Sequence, residues 1–247
     1  MVSLEEIIRY FPTNIYNLLK MTFEQDRQIE KNLQEIRIRV NKPILLKLRQ
    51  ADIVIEYIIN SKEILQILEK LCDNSIYAYT NQICNGFLTI RGGHRIGVTG
   101  TAVMENGRVI NIKYVTSLNF RIARQVINCS NNILGQVLDI QNNTIFNTLI
   151  VSPPGRGKTT ILRDLIRNIS NGIERLNFKG KTCGVVDERG EIAAMYRGIP
   201  QNDIGIRTDV IENISKAEGI KILIRSMAPE IIACDEIGSK EDIQAIR

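Results

Sequence analysis

The segment Ser152-Pro153-Pro154-Gly155-Arg156-Gly157-Lys158-Thr159-Thr160 has the residue types and spacing needed to hold a chain of phosphates. Phosphate oxygens spread their charge over several atoms, and backbone N–H groups at a helix N-terminus meet that charge directly. Gly155 and Gly157 let the backbone curl closely around it, with Pro154, Arg156 and Thr160 completing the turn and the helix start. Lys158 is then placed to reach the β and γ phosphates, and the Thr159 hydroxyl to ligate Mg²⁺. The pattern is GxxxxGK[ST] except that Ser152 replaces the first glycine, a residue small enough for a strand exit.

Such a cradle needs one carboxylate at the end of a neighbouring strand to hold the metal, and a second to align an attacking water. Ile231-Ile232-Ala233-Cys234-Asp235-Glu236 offers both: Asp235 on the metal side and Glu236 as the base. Asp187-Glu188-Arg189-Gly190-Glu191 closes a second apolar run and makes Glu188 an alternative for positioning water or metal, against the plainer alternative of a solvated charged turn. Arg121 and Arg124, in Asn119-Phe120-Arg121-Ile122-Ala123-Arg124, precede the phosphate-binding part. They are candidates to reach a γ phosphate in their own or a neighbouring subunit, with surface salt bridges as the alternative. His94 is the one histidine of the chain and has no histidine partner, so a structural role is expected for it. No guanine-selecting NKxD follows the loop, so ATP with Mg²⁺ is the expected cofactor pair.

The elements that must position these residues are legible as periodicity. Thr148–Val151, Cys183–Val186 and Ile231–Cys234 are apolar runs without alternation, which suits strands of a parallel sheet covered on both faces. A helix is expected from about Lys158, with Ile161, Leu162, Leu165, Ile166 and Ile169 inward and Gly172 as its stop. Upstream, Ser61 is expected to cap a helix whose Ile64, Leu65, Ile67, Leu68 and Leu71 share one face. From Phe87 to Ala123, short strands are separated by the turn signals Gly92-Gly93 and Glu105-Asn106-Gly107. The fold class is therefore α/β: a RecA-like P-loop core with a mostly parallel sheet over residues 131–247, preceded by a small α+β domain over residues 1–130.

The 32 basic and 27 acidic residues give a net charge of +5 with no run of like charge, compatible with acidic ligands without choosing one. Five dispersed cysteines in no CxxC pair exclude a zinc site or a disulfide framework as the organising feature. The N-terminus has no basic start followed by an apolar run, and no apolar stretch of ~18 residues follows. The chain therefore reads as cytoplasmic, held at a membrane only through partners. Aromatic residues are 5% of the total, too few for a stacking platform, so nucleic acid is not an expected partner.

With these residues in place the chain resembles the stage III sporulation AA family of endospore-forming bacteria, ATPases related to those of type II and type IV secretion systems. The resemblance rests on Glu35-Ile36-Arg37-Ile38-Arg39-Val40, Gly86–Gly97, Pro153–Thr160, Val186–Arg189, Pro200–Val210, and the stretch from Leu223 to Gly238. It implies a hexameric ring in the mother cell, with membrane-associated sporulation channel proteins as partners, energising a channel to the developing spore. It also implies a C-terminally incomplete core, because the family continues well beyond the eleven residues that follow Glu236 here. A nucleic-acid-stimulated RecA-like motor and a non-hydrolysing nucleotide-dependent scaffold are the competing expectations.

Overall fold

In the computed structural model, which describes residues 4–246, the chain divides after Arg124 into two compact units. The first begins with helices α1 (Glu5–Ile8), α2 (Thr13–Gln25) and α3 (Arg27–Asn32), followed by strands β1 (Leu33–Arg39), β2 (Pro43–Leu48) and β3 (Asp52–Ile58). Helices α4 (Ser61–Leu71) and α5 (Thr80–Cys84) then lead into β4 (Phe87–Thr89), β5 (Arg95–Glu105) and β6 (Arg108–Arg121). The six strands form one sheet in the order β3-β2-β1-β6-β5-β4, antiparallel at every pairing.

Strict alternation gives this sheet its two faces. Ile36, Ile38, Ile96, Val98, Leu118 and Phe120 are buried and join Ile15 and Leu19 of α2 in one core. Phe11 packs on Phe120 with ring centroids 4.8 Å apart. The residues between them, Glu35, Arg37, Arg39, Arg95, Asn119 and Arg121, fall on the opposite face. The β5–β6 turn is made by Asn106 and Gly107, both at positive φ, as a two-residue hairpin with right-handed twist requires.

Two expectations for this unit need correction. Asn60, not Ser61, caps α4: its side chain accepts the Glu63 N–H (3.0 Å) while the Glu63 carboxylate accepts the Asn60 N–H (2.9 Å). Leu65 is 48% exposed, because Ile64, Ile67, Leu68 and Leu71 already complete the buried stripe and Leu65 lies about 100° away from it. His94 is fully buried, and its Nδ1 accepts the Ala123 N–H at 3.0 Å, fastening the chain just after β6. Burial, with the nearby Arg124 charge, pulls its pKa down to about 4, so it is neutral at physiological pH.

The second unit opens with α6 (Leu134–Val137) and the short antiparallel pair β7 (Leu138–Asp139) and β8 (Thr144–Ile145). It continues with α7 (Lys158–Asn171), β9 (Cys183–Asp187), β10 (Thr208–Glu212), α8 (Lys216–Met227), β11 (Ile231–Cys234) and α9 (Lys240–Ile246). β9 lies between β10 and β11 and is parallel to both. All five of its residues are buried. Val185 packs with Leu165, Ile166 and Ile169 of α7, while Val186 packs with Ile220 and Leu223 of α8. Successive side chains thus face different helices, which is why this run is apolar without alternation.

The sheets are therefore mixed over the described residues, antiparallel in the first unit and parallel only in this three-stranded sheet. The strand expected at Thr148–Val151 does not form: the segment has no ladder partner among the described residues, and Leu149 and Val151 are 71% and 80% exposed. Apolar β-formers without a neighbouring strand have nothing to satisfy their backbone groups. β10 escaped sequence reasoning because Thr208-Asp209-Val210-Ile211-Glu212 is neither an apolar run nor a clean alternation.

α8 approaches β9 through Gly219, where an added Cβ would lie 2.6 Å from Val186 Cγ1 and 3.2 Å from Ile214 Cγ2. Alanine gains about 1 kcal/mol in helix propensity over glycine, yet overpacking a core costs about 1–3 kcal/mol. Gly219→Ala is expected to lower the urea midpoint; a raised midpoint would show that α8 does not pack this closely.

Candidate nucleotide and metal site

The glycine loop runs directly into α7. Gly155 and Gly157 have φ of 72° and 85°, and Gly157 is the N-cap of the helix. A Cβ at either position would meet nothing within 4 Å, so what these glycines supply is backbone conformation rather than clearance. The Lys158 ammonium donates to the carbonyls of Ser152 (3.0 Å) and Pro153 (3.3 Å), folding across the loop. Pro154 and Arg156 are exposed on the loop, and Thr160 sits in the first turn of α7.

The Thr159 hydroxyl donates to Asp235 Oδ1 at 3.2 Å, joining the start of α7 to the residue that follows β11. The other oxygen, Asp235 Oδ2, is buried with no hydrogen-bond partner. Burial pushes the Asp235 carboxyl above the usual range. Glu191, Asp187 and Glu236 add to the shift, and the Thr159 hydroxyl opposes it. A hard divalent cation fits this arrangement, since it would meet the orphaned oxygen and relieve the clustered negative charge. Among the described residues no group of three or more His, Cys, Asp or Glu is gathered to hold a metal unaided. Mg²⁺ binds through one or two carboxylates and completes its shell with water and phosphate.

Asp187, at the end of β9, is fully buried and organises the loop after it. Its carboxylate accepts the N–H groups of Glu191 (2.8 Å), Ile192 (3.1 Å to each oxygen) and Ala193 (2.8 Å). The Arg163 guanidinium, one turn along α7 from Thr159, donates to the carbonyls of Ile192 (2.8 Å) and Glu191 (2.6 Å). Asn202 also donates to the Ile192 carbonyl (2.8 Å). The loop therefore carries Glu191 into the electrostatic neighbourhood of Asp235.

Glu188 pairs with Lys216, whose side chain is 8% exposed. Glu236 pairs with Arg189 at 3.1 Å, with both side chains about 60% exposed. Arg121 and Arg124 belong to the first unit. Arg121 is exposed at the end of β6 in register with Glu35 and Arg95. Arg124 donates to the carbonyls of Glu30 (2.7 Å) and Leu33 (3.2 Å), tying α3 to β1. The structure thus joins Thr159 to Asp235 by a hydrogen bond and sets Asp187 and Glu191 within electrostatic reach of Asp235. Sequence reasoning missed Glu191 and Arg163; the one signal was that Glu191 stands at the far end of an acidic turn containing Gly190.

The α/β fold resembles that of two solved structures of low sequence identity. The Legionella pneumophila ATPase DotB matches with a TM-score of 0.56 at 15% identity, over 92% of this chain and 61% of that one. The pilus retraction motor PilT with bound ADP matches with a TM-score of 0.55 at 14% identity, over 90% of this chain and 61% of that one. The chain thus spans less than two thirds of the length of these structures. In sequence it is 40% identical to Stage III sporulation protein AA of Bacillus subtilis (strain 168), over 98% of this chain and 76% of that protein. It is 30% identical to uncharacterized protein ycf45 of Cyanidium caldarium, over 53% and 36% of the two lengths. Residues 3–247 match the family described as Sporulation stage III, protein AA, and the chain belongs to that family.

The raised pKa of Asp235 has a signed consequence for stability. A carboxyl that ionises less readily folded than unfolded weakens the fold once pH exceeds its unfolded value of about 3.9, and the full cost persists above the folded value. Asp235→Asn is expected to raise the melting temperature of the metal-free protein at pH 7, with the gain vanishing below about pH 4. A variant no more stable than the parent at pH 7 would show that this carboxylate is already well satisfied.

Proposed function

We propose that the chain binds ATP with Mg²⁺ at residues 152–160 and hydrolyses it, as a secretion-type ATPase working in endospore formation. The observation that carries this is the buried, unpartnered Asp235 Oδ2 beside Thr159, at the N-terminus of a helix preceded by a positive-φ glycine loop. In this assignment the backbone N–H groups of the loop, with Pro154, Gly155, Arg156, Gly157 and Thr160, cradle the phosphates, and Lys158 exchanges the Ser152 and Pro153 carbonyls for phosphate oxygens. Thr159 and Asp235 hold the metal side, where Mg²⁺ supplies charge neutralisation at the phosphates.

Of the three carboxylates proposed to align a water, Glu191 has the strongest claim, because its loop is bonded through Arg163 to the helix that begins at the glycine loop, one turn from Thr159. Glu188 and Glu236 are engaged with Lys216 and Arg189 and act on the loops that flank the site. Arg121, exposed beside Arg95 on a face with Arg37 and Arg39, is the better candidate for reading a γ phosphate; Arg124 is committed to backbone carbonyls.

The assignment of 1–130 and 131–247 as a helper domain and a RecA-like core is part of the same proposal, as is assembly into a hexameric ring. Among the described residues no helix is long and apolar enough to cross a membrane. Membrane-associated sporulation channel proteins are the partners through which this reading couples the chain to a mother cell to forespore channel.

Mg²⁺-dependent ATP binding and turnover, measured for the parent, Lys158→Ala, Glu191→Gln and Glu236→Gln, test the assignment. Lys158→Ala is expected to abolish binding, and Glu191→Gln to retain it while turnover falls about 100-fold or more. A smaller loss is expected for Glu236→Gln. Turnover kept in Glu191→Gln and lost in Glu236→Gln would move the base to Glu236, and nucleotide binding unaffected by Lys158→Ala would sink the proposal.

A further inference from the structure

We propose that Arg163 is a positioning residue that ties the phosphate-loop helix to the loop bearing Glu191, so that this carboxylate keeps its place relative to Thr159 and Asp235. The proposal rests on the ATP-hydrolysing function proposed above. It begins from how the loop at 188–193 is held. Gly190 within it and Ala194 just after it both have positive φ, a conformation that an alanine adopts only when its surroundings impose it. The loop amides are bound by Asp187, but Asp187 is part of the same stretch of chain, four to six residues upstream. That bond shapes the loop without fixing it to the phosphate side.

The link to α7 runs through Arg163. Its Nε and Nη2 donate to two successive carbonyls, Ile192 and Glu191, a geometry that a planar guanidinium fork matches and an ammonium does not. Its position four residues after Thr159 puts it one turn along the helix that begins at the glycine loop. Asp187, Asp235 and Glu191 all lie within electrostatic reach of the guanidinium, which therefore also serves as resident countercharge for the carboxylates around the metal side. Any shift of the α7 N-terminus is carried by this rigid side chain into the Glu191 loop.

The test compares Arg163→Gln and Arg163→Lys with the parent protein. It uses amide hydrogen exchange at residues 191–193, the affinity for a fluorescent ADP analogue with Mg²⁺, and ATP turnover. In Arg163→Gln, exchange at 191–193 is expected to rise about 10-fold or more while amides at 165–169 in α7 stay as protected as in the parent. ADP affinity is expected to stay within about threefold and kcat to fall about 10- to 100-fold, as for residues that orient a reacting group through another. Arg163→Lys keeps the charge but loses the fork, and is expected to follow Arg163→Gln.

Unchanged exchange at 191–193 in both variants overturns the proposal, as does a kcat equal to the parent's. A lysine variant indistinguishable from the parent also overturns it, since charge alone would then suffice. If the parent itself shows no turnover, ATP hydrolysis is what fails, and exchange at 191–193 alone decides the Arg163 link. If Arg163→Gln does not fold, Arg163→Lys is judged by the same criteria.

Discussion

A buried carboxylate without partners costs several kcal/mol, and the second unit is organised around keeping several carboxylates together at the carboxyl end of one parallel sheet. Asp187 resolves its own burial completely by accepting three backbone N–H groups. Asp235 resolves half of its burial through Thr159 and leaves Oδ2 unmet. Such asymmetry between neighbouring acids is what the metal side of the proposed site requires. It also sets conditions on the rest of the unit. β9 must be covered on both faces to bury Asp187, β11 must lie beside β9 to bring Asp235 alongside, and α7 must dock with its first turn at that end.

α7 is held along its length to meet the last condition. In its middle, buried Asp164 accepts the Asn128 and Ser130 N–H groups and the Ser130 hydroxyl, and pairs with Arg167 at 2.9 Å. At its far end, Arg207 donates its N–H to Ser170 Oγ and its guanidinium to the Ser170 carbonyl. Gly205 passes so close that a Cβ would stand 2.5 Å from Ser170 Cβ. Burial acts against the ionised Asp164, but its hydrogen bonds prevail and hold its pKa below the usual range. This clamp therefore persists through neutral pH and weakens only in acid, as protonation removes its acceptors. The segment Pro200–Val210, peculiar in sequence, is thus explained in large part by the support it gives the phosphate-loop helix.

What was legible in the sequence follows from how local each signal is. The loop–helix start at Lys158, the stop at Gly172 and the buried run at Cys183–Val186 are each specified by a few adjacent residues. The strand expected at Thr148–Val151 failed because pairing depends on a neighbour that no local pattern reveals. Asn60 took the cap from Ser61 because a capping box needs Glu63 three residues on, a register that only one of the two adjacent candidates can meet. Glu188 and Glu236 are legible because they directly follow apolar runs, whereas Glu191 stands at the far end of a turn. A buried carboxylate that gathers the amides of residues 191–193 folds the loop back on the strand end, a contact that no local pattern announces.

The two units differ in how their charge is distributed. The second unit places carboxylates around Asp235, so a bound polyphosphate would depend on the loop amides, Lys158 and a divalent cation for most of its neutralisation. The first unit offers arginines on one face of an antiparallel sheet, and their present partners distinguish them. Arg37 is engaged with Glu35, Arg124 with two carbonyls, and Arg95 lies over the Phe87 ring at 3.8 Å. An arginine committed to backbone carbonyls must lose those bonds to turn toward a phosphate, whereas one exposed at a strand end needs only a rotamer change. On that difference Arg121 is the readier of the two to change partners, while Arg124 holds the end of its own unit together.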